Sequence, residues 1–408
     1  MKIIRYVYYV IAFLLFQWPN LIAQGVWTQK ASLPGVPRYR AVGFSIGDKG
    51  YIALGEYANK LKDLWEYDPT TDTWTRKADF AGDARRGAFA FTIGNKAYVG
   101  GGDAGTSHLP NYKYDFWEYD PALDKWTAKA NFGGGYRYGA VAFSIAGKGY
   151  VAMGDGYTSR KNDLWEYDPL TDVWTQKTSC PCGIRMDAAG FVISNNFYVG
   201  LGVGAGRYYY DFWEYNPSFD TWTPRAKFPD DARECAIGFS IRNIGYLGIG
   251  LDSSNVNFGY NDDFWEYIPS TDSWSQISNF GGGLRRDAVT FSIGDTNYVG
   301  TGQFSTPEKD LWMYFDLSNK IDNKNLEKTQ STYVSPNPFS DFTYINLPEG
   351  ENINIHIYNI LGAQVREIWN VSSGREKIYR ENLSDGIYIY KLFSGNKFIG
   401  RGKFIISL

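Results

Sequence analysis

The stretch from Asp63 to Trp74 reads DLWEYDPTTDTW, and a near-copy, DFWEYDPALDKW, runs from Asp115 to Trp126. Further copies begin at Asp163, Asp211 and Asp263. A sixth begins at Asp310 but reads DLWMYFDLSNKI, with Ile321 where the closing tryptophan should stand. Other landmarks recur around these copies. Arg38, Arg85, Arg137, Arg185, Arg233 and Arg285 each stand three residues before an alanine, and a tyrosine follows each arginine by thirteen residues. A glycine comes four residues later: Gly55, Gly102, Gly154, Gly202, Gly250 and Gly302. Trp74, Trp126, Trp174, Trp222 and Trp274 each precede the next arginine by eleven residues. Trp27 has the same spacing to Arg38 and belongs to no earlier copy. There are thus six of every landmark, with the count offset by one strand.

Each repeat reads as four strands. AVGFSIG is a mostly apolar run, as expected for a strand covered on both faces, and YIALG is the second. DLWEYDP alternates, so that Trp65 and Tyr67 share one face, and WTRKA is the fourth. GDKG and PTTDT are turn-formers between them. A four-stranded unit repeated in tandem matches a β-propeller blade, which cannot bury both faces alone. The fold class predicted is all-β: a six-bladed ring over 25–318, closed when the Trp27 strand pairs beside DLWMY, because an open end would leave sheet edges unpaired.

The repeats resemble Kelch repeats. The tyrosine before the second strand's glycine, that glycine, and the spaced tryptophan carry the likeness, over roughly residues 25–318. The Gly-Gly doublet of the family is mostly replaced; only YVGGG (98–102) has adjacent glycines.

The two ends differ from this pattern. MKIIRYVYYVIAFLLFQWPNLIAQ has Lys2 and Arg5, an apolar run from Val7 to Phe16, and a cleavage-like region, so 1–23 is expected to be a secretory signal peptide. After Leu317 a polar linker is expected over 319–332, then a small β-sandwich over 333–408, from alternating runs such as INIHIYN and GIYIYKL. SPNPF (335–339), IYNILGAQV (357–365), GIYIYKL (386–392) and the terminal Lys403 strand resemble the C-terminal sorting domain of the type IX secretion system of Bacteroidetes. That resemblance implies the type IX machinery as a partner and a secreted or cell-surface destination.

The chain has 408 residues and a formal net charge of −3, with no basic block, which argues against nucleic acid as a partner. No later segment is long and apolar enough to span a bilayer. Three cysteines do not make a disulfide framework. Cys235 starts a repeat adjacent to Cys180 and Cys182, which admits a bridge from Cys235 to either; the other reading is three unpaired thiols.

All variation in repeat length falls after the second strand, where the glycine-to-aspartate spacing is 8, 13, 9, 9, 13 and 8. On a rigid scaffold, variable loops carry function. Tyr57, Tyr112, Tyr157, Tyr208 and Tyr209 in these loops are candidates to stack on sugar rings or grip a peptide, or else to pack the loop bases. The arginines Arg38, Arg85, Arg137, Arg185, Arg233 and Arg285 start the strand nearest the axis, on the same face. As a ring of guanidinium groups they would bind an anionic ligand; as repeated residues they would pair with the repeat's aspartate or glutamate. If the glutamates are the partners, Met313 leaves one arginine without a mate.

No metal or cofactor is expected. A galactose-oxidase type copper site needs imidazoles, and only His108 and His356 are present. No catalytic motif of the common hydrolase or phosphate-loop kinds occurs. The expectation is therefore a non-catalytic recognition protein for a glycan or protein ligand; the alternative is a carbohydrate-active enzyme of the sialic acid epimerase kind.

Overall fold

The computed structural model describes residues 25–106, 109–253, 259–316, 334–347, 352–359, 364–372, 374–395 and 397–407. The expected signal peptide, the linker and His108 lie outside the described residues. The chain divides into two compact units, Met1–Lys320 and Ile321–Leu408. Among the described residues both are all-β, without a helix.

In the first unit the repeat folds as read. Val42–Ile46, Lys49–Ala53, Leu64–Asp68 and Thr73–Lys77 pair in that order as one antiparallel sheet. The pattern recurs to give six such sheets among the described residues, one of which carries the extra short strand Arg233–Glu234. The innermost strands are alternately buried because each packs on its neighbours: Val42–Ile46 lies against Phe89–Ile93 on one side and Val289–Ile293 on the other. The arrangement is propeller-like.

Two circles of main-chain hydrogen bonds run through all six repeats. Arg40 N–H donates to Asp287 C=O, Gly87 to Arg40, Gly139 to Gly87, Asp187 to Gly139, Cys235 to Asp187, and Asp287 to Cys235, at 2.9–3.2 Å. All six donors have positive φ, between 52° and 61°. Farther out, each repeat's glycine N–H donates to the next repeat's arginine carbonyl, and Gly302 donates to Arg38 at 2.8 Å, returning to the start.

Val26–Lys30 completes the last sheet. It pairs antiparallel with Leu311–Phe315, placing Trp27 opposite Tyr314 as Trp74 stands opposite Tyr67. Each repeated tryptophan donates its indole N–H to a carbonyl of the preceding repeat: Trp74 to Ala31 at 2.8 Å, and Trp274 to Ala226 at 2.9 Å. Trp27 does the same to Ser278, across 251 positions of sequence. Its ring packs on Phe264, Phe280 and Tyr314 with centroids 4.9–5.1 Å away. Trp27→Ala is expected to cost about 3 kcal/mol, read as a shift of the urea midpoint; a loss under about 0.5 kcal/mol, the scale of an ordinary surface substitution, would show that this strand does not seal the sheet.

In the second unit, Val334–Ser335, Phe342–Leu347 and Gly374–Tyr379 form one sheet, and Gln364–Val371, Ile353–Asn359, Gly386–Ser394 and Lys397–Ile406 another. Both contribute to one apolar core that includes Ile345, Ile355, Ile357, Ile378, Tyr390 and Phe404. The SPNPF residues hold the last strand. Asn337 Oδ1 accepts from Ile405 N–H at 2.7 Å, Phe339 C=O accepts from Ser407 N–H at 3.0 Å, and the Phe339 ring packs on Phe404.

Candidate functional site

The six repeated arginines are not at the mouth. Arg38, Arg85, Arg137, Arg185 and Arg233 are 0% exposed and Arg285 is 3% exposed. Their guanidiniums pair with the repeat's aspartates, Asp63, Asp115, Asp163, Asp211, Asp263 and Asp310. The anion-binding ring is thus corrected, and the pairing reading holds with aspartate as the partner. Glu66, Glu118 and Glu166 instead accept tyrosine hydroxyls, from Tyr51, Tyr98 and Tyr150, and Glu214 pairs with Arg225. Met313 therefore leaves no arginine unmatched, since Arg285 is held by Asp310.

Each arginine also donates to the carbonyl preceding the repeat's glycine, such as Leu54, Met153 and Thr301 at 3.0, 2.7 and 3.1 Å. Those residues have positive φ: Leu54 63°, Met153 61° and Thr301 58°. A glycine pair is not needed here because the left-handed turn survives with a side chain in its first position. The strain is offset by burial of that side chain and by the charged hydrogen bond.

The mouth is built by the next two residues of each repeat, which do not repeat. One position after the arginines stand Tyr39, Arg86, Tyr138, Met186, Glu234 and Arg286; two after stand Arg40, Gly87, Gly139, Asp187, Cys235 and Asp287. The second set, with the alanines that follow, lines an axial cavity of about 160 Å³. Arg40 reaches across it. Its Nη1 and Nη2 meet the two Asp187 oxygens at 3.0 and 3.1 Å, its Nε meets Asp287 Oδ1 at 3.1 Å, and its guanidinium lies 5.1 Å from the Tyr138 centroid. Burial opposes its charge, but Asp187 and Asp287 overcome that and hold its pKa well above the ordinary value. Gly139 makes room for this network: a Cβ there would come within 2.5 Å of Asp187 Oδ1.

Glu234 is the group whose proton is displaced into the neutral range. Burial, then the Asp187 and Asp287 charges, push its pKa up to about 7, against the pull of Arg40 and Arg286. Its carboxylate, an Asp187 oxygen and Cys235 Sγ lie within 4.8 Å of one another. Arg40 holds both Asp187 oxygens, so that member of the trio is engaged in an ion pair. Around it, Glu56 Oε2 accepts from Tyr39 at 3.0 Å and from Arg86 at 2.6 Å. Arg286, about a quarter exposed, lies with its Nε 3.5 Å from Asp287 Oδ2 and its guanidinium 5.4 Å from the Tyr260 centroid.

The loop tyrosines divide. Tyr57 and Tyr157 are exposed. Tyr112 stacks on Tyr138 at 5.2 Å and meets Tyr157 edge-on at 5.6 Å. Tyr208 is half-buried, and burial followed by the Glu234 charge raises its pKa. Tyr209 is buried beneath the Arg185 guanidinium, 3.9 Å from the ring centroid, and its hydroxyl reaches Ile184 C=O, so it packs the loop base and is corrected as a ligand contact. The sequence reading missed Arg40, Arg86, Tyr138, Asp187, Glu234 and Arg286. The signal that finds them is failure to repeat beside a landmark that always does.

The bridge to Cys235 is also corrected. Cys180 and Cys182 are bonded to each other, and Cys235 is a free buried thiol, its pKa raised by burial. Without reductant, one thiol per chain is expected to react with a disulfide reagent in denaturant and almost none in the native state; three thiols reacting before reduction would refute the bridge.

No curated protein matches the chain. Among solved structures it is similar to that of YjhT, with a TM-score of 0.59 and 19% identity over 69% of this chain and 95% of that one. The likeness concerns fold alone. The expectation that the chain is not an enzyme is withdrawn on that likeness, which shows a fold and no reaction. The other comparison concerns the second unit, whose SPNPF clamp and terminal strand fall inside the matched segment. Residues 333–407 belong to the secretion system C-terminal sorting domain family, which marks the chain for type IX export to the cell surface or outside.

Proposed function

We propose that the first unit is a six-bladed Kelch-type propeller whose mouth is the active site of an exported carbohydrate-active enzyme. Its substrate is an acidic sugar, and its reaction is of the sialic acid epimerase kind. In this reading 1–23 directs passage of the inner membrane, 25–318 is the catalytic unit, 319–332 is a linker and 333–408 is a β-sandwich addressed to the type IX machinery.

The observation that carries this is Glu234. A carboxyl with a pKa of about 7 is present in both forms at neutral pH, so it can take and return a proton in one cycle. Opening a pyranose hemiketal requires that exchange: the anomeric hydroxyl loses its proton as the ring C–O bond breaks, and the ring oxygen gains one. Reclosure on the other face gives the other anomer, with no net gain or loss of atoms. Arg286 and Arg86, each about a quarter exposed at the rim, supply charge for the sugar's carboxylate.

The test is anomer exchange of N-acetylneuraminic acid followed by proton NMR with the full secreted chain, and with a panel of other acidic sugars. Acceleration over buffer is expected. A folded protein that accelerates exchange or conversion of none of them would sink the reading.

A further inference from the structure

Beside the mouth lies a second cavity of about 280 Å³, lined by Pro110, Asn111, Tyr112, Tyr136 and Tyr157. Its position follows from the long loop of the second repeat, where the glycine-to-aspartate spacing is 13 instead of 8 or 9. The extra length brings Pro110–Tyr112 over the third repeat, which supplies Tyr136 and Tyr157. The rings are set at steep angles to one another: Tyr112 to Tyr157 at 82°, and Tyr136 to Tyr157 at 48° with centroids 6.4 Å apart. Tyr136 and Tyr157 are 50% and 57% exposed.

We infer that this cavity is a stacking subsite for a neutral pyranose ring joined to the acidic sugar in the mouth, so that the substrate class is an acidic sugar extended by a neutral one. The inference rests on the mouth reading above, and three features carry it. First, the cavity adjoins the mouth, because Tyr112 in its wall stacks on Tyr138 and Tyr138 lies against Arg40. Second, it is walled by phenol rings and one amide and carries no ion pair, which suits an uncharged partner with an apolar C–H face and a hydroxyl edge. Third, Tyr136 and Tyr157 present open rings at the cavity while burial pushes the pKa of Tyr112 up to about 12, so exposed and sheltered phenols meet there. A sugar's hydroxyls would meet these phenolic tips.

Chemistry also fixes the linkage. The anomeric carbon of the acidic sugar must stay free for exchange at Glu234. The neutral ring is therefore attached through one of the acidic sugar's other hydroxyls.

The experiment compares, by titration calorimetry on the full secreted chain, N-acetylneuraminic acid with a disaccharide carrying galactose on one of its non-anomeric hydroxyls. About tenfold tighter binding of the disaccharide is expected, the scale of one or two aromatic stacking contacts. In the double variant Tyr136→Ala, Tyr157→Ala that ratio is expected to fall to about one. Tyr136→Phe, Tyr157→Phe should keep most of it, because the rings remain. A ratio near one in the parent chain, a ratio unchanged in the alanine variant, or no binding of either sugar would overturn the subsite. Absence of turnover of the free acid alongside an intact ratio would overturn the mouth's chemistry and leave the subsite supported.

Discussion

Arg137→Ala is expected to lower stability by roughly 3–5 kcal/mol, the range for removing one partner of a buried ion pair. The side chain is fully buried; Nη1 donates to Asp163 Oδ1 at 2.6 Å and to Met153 C=O at 2.7 Å, and Nη2 donates to Asp163 Oδ2 at 2.9 Å and Gly134 C=O at 2.8 Å. Its guanidinium also lies 5.0 Å from the Phe132 centroid. Alanine would strand a carboxylate and two carbonyls at once. Arg137→Lys should recover little, because a single ammonium cannot fill the forked geometry. Denaturant midpoints read the effect. A loss below 1 kcal/mol would show that water or a neighbour replaces the guanidinium.

Glu234→Gln is expected to lower turnover by about 10²–10⁴-fold, the usual worth of a positioned acid–base group. Turnover in the parent chain should depend on a group titrating near pH 7, and the glutamine variant should lose that dependence. Stability should move the other way. The folded carboxyl holds its proton up to about 7, whereas an unfolded glutamate releases it near 4.3. Between those values the folded state binds more protons. Its stability is therefore fully present below the lower pKa and is lost as pH rises through the upper one. The glutamine variant should accordingly melt above the parent at pH 8 and level with it at pH 4. Melting curves in which the variant shows no advantage at pH 8 would place Glu234 in an ordinary solvated environment.

The fold was legible because its landmarks do one job six times. The spacing of Trp74 to Arg85 recurs at Trp27 to Arg38, and that recurrence alone places Trp27 beside the last sheet. The site was not legible by the same means. Repetition singles out what the ring needs for its own cohesion, hence the arginines, which proved to be buried. Arg40, Asp187 and Asp287 stand far apart in sequence and meet only because the innermost turns converge on one axis. Glu234 looks like any glutamate until Asp187 and Asp287 are brought beside it. The aspartate rather than the glutamate as arginine's partner was likewise undecidable from spacing, since both sit on the same strand or at its start. Tyr209 failed as a ligand contact because it folds back under Arg185, a local turn invisible in a loop's composition.

The pairing of Val26–Lys30 with Leu311–Phe315 sets a timetable for the chain. The unit's earliest described strand pairs with its latest, so it idles while the strands between are synthesised behind it. Any product cut short before Leu311 keeps a raw edge on either side of the gap, and such an edge recruits other strands. Completion is in this way written into the geometry: only a full-length first unit can lock itself shut, and the segment carrying the export address follows after that point.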